Sequence, residues 1–282
     1  MQRWSSFHKT PVAMETFITF KSNDPLISRY VHYYYLDLKP NNIVTEFECF
    51  PHYNNTLSLY RSHHYTPDGE IVYQENGTPC QIFTPVREKV LTVKQTGKVH
   101  RIVIVFHAMG IQQFYREPDF GVLNNSYNFF STDELTDLFD GNDTDTLTHQ
   151  LDTFLKSRYI AYENPLPEKA ISEIFSNYED FSVELLAEKL SVSRRHLNRV
   201  FKKNIGVSVK KFHEIVVFRK TMERKLFIRP EESFTSLAYQ FNFSDQAHLN
   251  KTFDNFTKKS PTTFFKKGIL LGSQDTFWHR IR

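Results

Sequence analysis

The chain has 282 residues, enough for two domains, and its 40% hydrophobic content suffices for ordinary cores. Its net charge of +3 hides an asymmetry: residues 168–282 hold 21 Lys and Arg against 13 Asp and Glu, whereas residues 1–167 hold 14 against 19, so only the C-terminal part suits a polyanionic partner. Cys49 and Cys80 make neither a metal-ligand spacing nor a disulfide framework; with no signal peptide before Trp4 and no apolar run of about 18 residues, the expectation is a soluble cytoplasmic protein without membrane contact.

Residues 1–130 read as a β-rich domain. The segments FITFKS, YVHYYYLDL, LSLYRS, EIVYQ, CQIFTP and VHRIVIVFH are short, β-branched or aromatic, and bounded by Asn, Pro, Gly or Asp. Their spacing predicts antiparallel sheets forming a barrel or sandwich. A strand-rich α+β domain is the alternative, with LISRYVHYYYLDL beginning as a short helix. The run Tyr33-Tyr34-Tyr35 is expected half in the core and half at the surface, with a pocket wall as a second use. His52, His63, His64, His100 and His107 also fall here. His63 and His64 are adjacent, so their side chains leave a strand on opposite faces. These are read as loop or rim histidines, and neither metal nor cofactor is assigned.

From Ser131 the period becomes helical. Ser131 and Glu134 have capping-box spacing and open a helix through Leu135, Leu138 and Phe139. After Gly141-Asn142, a second helix puts Leu147, Leu151, Phe154 and Leu155 on one stripe. That stripe either packs on the β domain or forms a dimer interface. Residues 131–160 thus make a helical segment, and residues 161–167, AYENPLP, are read as a linker.

The rest of the chain, residues 168–267, contains one short structure twice. HLNRVF begins at His196 and HLNKTF at His248, a register of 52 residues that also relates Ser208 to Ser260 and Phe212 to Phe264. Upstream, Leu186-Ala187 matches Leu237-Ala238 at 51, so one turn is a residue longer. Each copy predicts a helix, a turn and a second helix. Ser182 and Ser193 are N-caps in the first copy. Leu197, Val200 and Phe201 form the buried stripe of its second helix, with Arg195, Asn198, Arg199 and Lys202 opposite. In the second copy Leu249, Phe253 and Phe256 face inward; Gln246, Asn250 and Lys251 face outward, with His248 at the edge. Asn242 occupies the longer turn, where a left-handed residue is often needed. Such a hairpin is a helix-turn-helix, whose second helix enters the DNA major groove. Arg or Lys suits guanine O6 and N7, and Asn or Gln suits adenine N6 and N7.

Between the copies, SVKKFHEIVVFRKTMERKLF runs from Ser208 without Pro or Gly until Pro230. Phe212, Ile215, Val216, Arg219 and Met222 trace one face. About 20 residues at about 1.5 Å each predict a rod of about 30 Å, against about 34 Å for one turn of B-DNA.

On LLAEKLSVSRRHLNRVFKKNIGVSVKKF and FNFSDQAHLNKTFDNFTKKSPTTFF, the segment resembles the DNA-binding domain of the AraC/XylS family of bacterial transcription regulators. The resemblance covers about a third of the chain and includes Ser260-Pro261. It implies base contacts by Arg195, Asn198 and Arg199, then by Gln246, Ala247, His248, Asn250 and Lys251. Two departures stand out: Asn242 replaces a frequent Gly, and Ala247 is able to touch only a thymine methyl. Lys202, Lys203, Lys210, Lys211, Lys258, Lys259, Lys266 and Lys267 are the phosphate-contact candidates. The resemblance further implies promoter or operator DNA and RNA polymerase as partners, a homodimer through the stripe at 147–155, and a cupin-like N-terminal domain sensing a small molecule. No motif identifies that effector. His63-His64 lacks the His-x-His spacing of a cupin metal site.

Two alternatives belong to other classes. A DNA-modifying or cupin-type enzyme would need a catalytic group in the β domain. Ada-type repair methyltransferases use a cysteine in a PCHR-like setting, whereas Cys80 precedes Gln-Ile-Phe and no nucleophile–base spacing is found. The other is a protein-interaction adaptor without DNA binding, which the basic outward faces disfavour. Residues 268–282 form a tail with Gly268 as helix stop and Ile269, Leu270, Leu271, Phe277 and Trp278 able to pack on either domain.

Overall fold

The computed structural model describes residues 15–115, 121–123, 128–141 and 143–282. Among the described residues nine strands come first: β1 (Thr16–Phe20), β2 (Val31–Lys39), β3 (Val44–Cys49), β4 (Asn55–Tyr60), β5 (His63–Tyr65), β6 (Glu70–Tyr73), β7 (Cys80–Thr84), β8 (Leu91–Thr96) and β9 (Val99–Phe106). Helices follow: α1 (Thr132–Asp140), α2 (Thr144–Ser157), α3 (Pro165–Ser176), α4 (Val183–Lys189), α5 (Arg194–Ile205), α6 (Val209–Glu223), α7 (Phe234–Gln240), α8 (Gln246–Thr257) and α9 (Pro261–Lys267). The chain then returns to strand in β10 (Ile269–Leu271) and β11 (Thr276–Arg280). The architecture is a mainly-β N-terminal part followed by an all-α part, as the periodicities predict, and then by a closing β-hairpin that they do not predict.

The strands form two sheets, β1-β2-β9-β4-β7 and β10-β11-β3-β8-β6-β5. Every pairing is antiparallel except β6 with β8. Of the two forms expected, this is the sandwich. The short helix foreseen before β2 is a 3-10 turn, Ile27–Arg29. His63 is buried and His64 exposed, as alternation requires. The tyrosine run needs correction: Tyr33, Tyr34 and Tyr35 are all buried. Tyr33 and Tyr35 pack with Val103, Val105 and Trp278 between the sheets. Tyr34 points the other way, into a core shared with α1 and α2, so the first sheet has both faces covered.

That third layer decides the fate of the α2 stripe. Ser131 and Glu134 form the predicted reciprocal cap. Leu147, Leu151 and Leu155 are buried against the sheet, and Phe154 packs partly on the same core. The Tyr34 hydroxyl donates to Asp152 Oδ1 at 2.8 Å, which pins α2 to β2. The proposed dimer contact through Leu147, Leu151, Phe154 and Leu155 is therefore corrected: their apolar surface is already used within the chain. Pro165 opens α3, so residues 165–167, read as linker, form its first turn. Residue Asn142 of the break between α1 and α2 lies outside the described residues.

The two parts share one core. Phe50, Val86 and Met109 of the β part cluster with the buried residues of α3 to α9. The tail settles where it packs. Gly268 ends α9, and a Cβ there would lie 1.7 Å from the Phe277 ring. The chain then forms the β10–β11 hairpin, and β11 pairs with β3 through Trp278 to Cys49, His279 to Glu48 and Arg280 to Phe47. A segment that follows the helical domain thus completes a sheet of the β domain.

Asp275, in the hairpin turn, accepts from Arg219 of α6 at 2.6 Å and from His52 Nε2 at 2.6 Å. Its other oxygen accepts from the Tyr33 hydroxyl at 3.1 Å. His52 Nδ1 accepts from the Asn54 amide at 2.9 Å, so the ring donates through Nε2. Burial, with Arg219 nearby, lowers the His52 pKa to about 3 and keeps it neutral. Burial would raise the Asp275 carboxyl, but His52 and Arg219 outweigh it and hold the group well below the usual carboxylate range. A depressed carboxyl stabilises the fold above its unfolded pKa, about 3.9, and that contribution fades as pH falls through the folded pKa. Asp275→Ala should cost about 3–5 kcal/mol at neutral pH, since Arg219 would be left buried and unpaired. Urea unfolding checks this, and the variant should also lose part of the destabilisation that wild type shows below about pH 4.

Candidate nucleic-acid interface

The two hairpins are built as the repeat predicts. Ser182 accepts from the Leu185 amide at 3.0 Å and Ser193 from the His196 amide at 3.2 Å. Four residues, 190–193, separate α4 from α5, and five, 241–245, separate α7 from α8, which is the one-residue slip. Asn242 is left-handed at φ 53° and Ser191 at φ 54°. The Asn242 side chain also donates to the Glu179 carbonyl at 2.7 Å, tying the second turn to the loop before α4. Leu197, Phe201, Leu249, Phe253 and Phe256 are buried, so both apolar stripes face the core. The connector departs in detail. Its α-helical part spans 15 residues, about 22 Å at about 1.5 Å per residue, and five more, Arg224–Ile228, continue as a π-helix. Val217 and Phe218 are buried as well as the predicted face, so the rod is enclosed on most sides.

On α5, Arg195 and Arg199 are exposed, as are Lys202 and Lys203. Arg199 Nη2 lies 3.1 Å from His196 Nδ1. On α8, Gln246, Ala247, His248, Asn250 and Lys251 are exposed. Gln246 accepts from Thr235 at 2.7 Å, and His248 Nδ1 faces the Ser244 amide at 3.4 Å. Lys210 and Lys258 are exposed, with Lys266 and Lys267. Two phosphate candidates are engaged elsewhere. Lys259 binds Glu48 of β3 at 2.5 Å and lies over the Phe50 ring, so it serves the domain contact. Lys211 pairs with Glu214 at 2.5 Å, half-buried above Phe256. Thr252 and Asn255 line the cleft of about 710 Å³ between α4, α6 and α8, beside Lys210 and Lys251, and Asn255 stands four residues after Lys251 on one helical face.

Asn198 must also be corrected. It is partly buried; its Nδ2 donates to the Arg194 carbonyl at 3.1 Å and its Oδ1 accepts from the Val209 amide at 3.2 Å. It therefore satisfies an orphan donor in the first turn of α6 and holds the recognition helix against the connector. The repeat explains why Asn250 differs. Val209 corresponds at the 52-residue register to Pro261, which has no N–H to donate. Asn250 is exposed, and among the described residues its side chain makes no hydrogen bond.

Residues 186–267 match the family model described as a helix-turn-helix domain. This segment is a helix-turn-helix domain. The chain is 32% identical over 95 residues to the Msm operon regulatory protein of Streptococcus mutans, covering 33% of this chain and 34% of that protein. It is 29% identical over 91 residues to an uncharacterized HTH-type transcriptional regulator of Haemophilus influenzae, covering 32% and 30%. The chain thus matches about a third of each relative's length. ToxT from Vibrio cholerae superposes with a TM-score of 0.47 at 12% identity, over 90% of this chain and 97% of that one. No helix among the described residues is long and apolar enough to cross a membrane.

The two asparagines should separate experimentally. Asn198→Ala should lower the melting temperature, at a cost of about 1 kcal/mol for a lost cap-type bond, and weaken DNA binding evenly across sequences. Asn250→Ala should leave the melt unchanged and relax preference at one base pair. Thermal melts and binding-site selection on both variants give the comparison.

Proposed function

We propose that the whole chain is a sequence-specific DNA-binding transcription regulator acting in the cytoplasm on promoter or operator DNA, not an enzyme. The observation that carries this reading is the pair of capped hairpins whose second helices expose cations and amides while their apolar stripes are buried. Arg195, Arg199, Gln246, His248, Asn250 and Lys251 are assigned to base edges, where side chains of these types discriminate. Lys202, Lys203, Lys210 and Lys258 are assigned to phosphates, which give affinity without sequence information. The β domain is assigned the sensing of a small-molecule effector. An effector acts only through differential affinity for two states, and the shared core supplies a contact through which it would be felt. RNA polymerase is the implied partner in transcription. A homodimer, where one forms, uses a surface other than the α2 stripe.

A mobility-shift titration on the DNA upstream of the gene, repeated across salt concentrations, tests the reading. Several phosphate contacts should give a steep negative slope of log affinity against log salt. Arg199→Ala should cost about 1–3 kcal/mol at the cognate site and blur one base pair. Binding that ignores salt, or full affinity and unchanged preference in the variant, contradicts the assignment.

A further inference from the structure

The residue that opens the second helix of each hairpin is tied back to the helix before it. In the first copy Arg194 pairs with Glu184. In the second, the Thr235 hydroxyl donates to Gln246 Oε1 at 2.7 Å. Glu184 precedes Thr235 by 51 residues and Arg194 precedes Gln246 by 52, the two registers of the repeat. The same contact is thus made twice with different chemistry. Arg194 has only donors, with or without its partner. A glutamine has one acceptor group and one donor group, and Thr235 takes the acceptor.

Bidentate reading of adenine needs both ends of an amide, the oxygen for N6–H and the nitrogen for N7. With Oε1 turned to α7, Nε2 is left as the outward group, carrying two hydrogens. Guanine presents two acceptors, O6 and N7, where adenine presents a donor and an acceptor. A group that only donates suits both guanine acceptors and leaves the adenine amino group unanswered, which is unfavourable once water is excluded.

His248 reaches the same state by another route. Its Nδ1 faces the Ser244 amide at 3.4 Å and the Ser244 hydroxyl at 3.5 Å. Its ring stands edge-on to the buried Phe243, 5.2 Å between centroids. An Nδ1 that accepts puts the proton on Nε2, so the outward nitrogen donates. Lys251 has donors only. Of the polar side chains assigned to bases on α8, Asn250 is the one that keeps its amide oxygen free among the described residues.

We propose that Thr235 is a positioning residue that sets specificity: by holding Oε1 it makes Gln246 a reader of guanine and leaves Asn250 as the adenine reader of α8. Thr235 itself acts through the amide it holds. The inference rests on the DNA-binding reading above and adds to it the identity of the bases.

Binding-site selection from a randomised duplex library tests this, run on the full chain and on Gln246→Ala, Thr235→Val and Thr235→Ser. Wild type should select guanine at one base pair that becomes unspecified in Gln246→Ala, which assigns that pair to Gln246. Thr235→Val keeps the side-chain shape without the hydroxyl and frees Oε1. At that same base pair its preference should move from guanine toward adenine by about tenfold, with the other positions unchanged. Thr235→Ser restores a hydroxyl and should keep guanine. Placing 7-deazaguanine at that position should weaken wild type and leave Gln246→Ala unaffected. The melts of all three variants should match wild type, because Thr235 and Gln246 are exposed. Adenine selected by wild type at the Gln246 position overturns the inference and leaves DNA reading standing. So does a Thr235→Val preference identical to wild type, or a Gln246→Ala variant that loses no position. No enrichment of any sequence by wild type overturns DNA reading, and the inference falls with it.

Discussion

Asp275 is the contact on which the arrangement turns. Arg219 is buried on α6, and a guanidinium there is tolerable only with a counter-charge. Glu223, one turn further along the helix, pairs with Lys220 and does not supply it. The hairpin turn does, and the same carboxylate also takes the His52 ring and the Tyr33 hydroxyl. Helical rod, inter-strand loop and sheet are thereby held by one group, and β11 follows into its register beside β3. Lys259 on Glu48 and the Phe50–Phe264 ring contact, 4.7 Å between centroids, lie along the same seam. The position of the two helix-turn-helix hairpins relative to the β-sandwich is thus set by polar pairing at the seam and by apolar packing around it.

The duplicated hairpin shows how one sequence pattern takes two jobs. Both copies use a serine or aspartate to cap the second helix, both bury a leucine and a phenylalanine, and both tolerate a left-handed residue in the turn. They part at the asparagine. Where the next helix begins with a residue that has an N–H, the amide is consumed as a brace; where it begins with proline, the amide stays free. The first copy is left to its arginines, and the second keeps a mixed set of amide, imidazole and ammonium groups.

Much of this was legible in the chain itself. The repeat, the serine caps, the Ser131–Glu134 box and the longer second turn depend on neighbours within a few residues, so local pattern suffices. Six strands announced themselves by β-branched and aromatic runs. β3 and β8, VTEFEC and LTVKQT, were missed because charged or amide residues interrupt their apolar positions. The tail was read as apolar but not as strand, since its partner β3 lies more than 200 residues earlier. The tyrosine run is expected half at the surface because the sequence does not place a third layer, α1 and α2, over the face that Tyr34 occupies. Asn198 and Lys259 looked like DNA contacts for a related reason: their residue types fit, and only the folded chain reveals that Val209 and Glu48 claim them first.

The shared core also bears on how a chain of this kind is able to recombine. A crossover at the covalent joint near residue 160 would transfer α3 to α9 intact and still divide what the fold keeps together. Phe50, Val86 and Met109 would lose the helices they lie against, and the incoming hairpin would carry a strand shaped for another sheet. Cassette exchange therefore has to take the contacting face of the sandwich along with the helices. The unit that evolution can swap is larger than the helix-turn-helix segment itself.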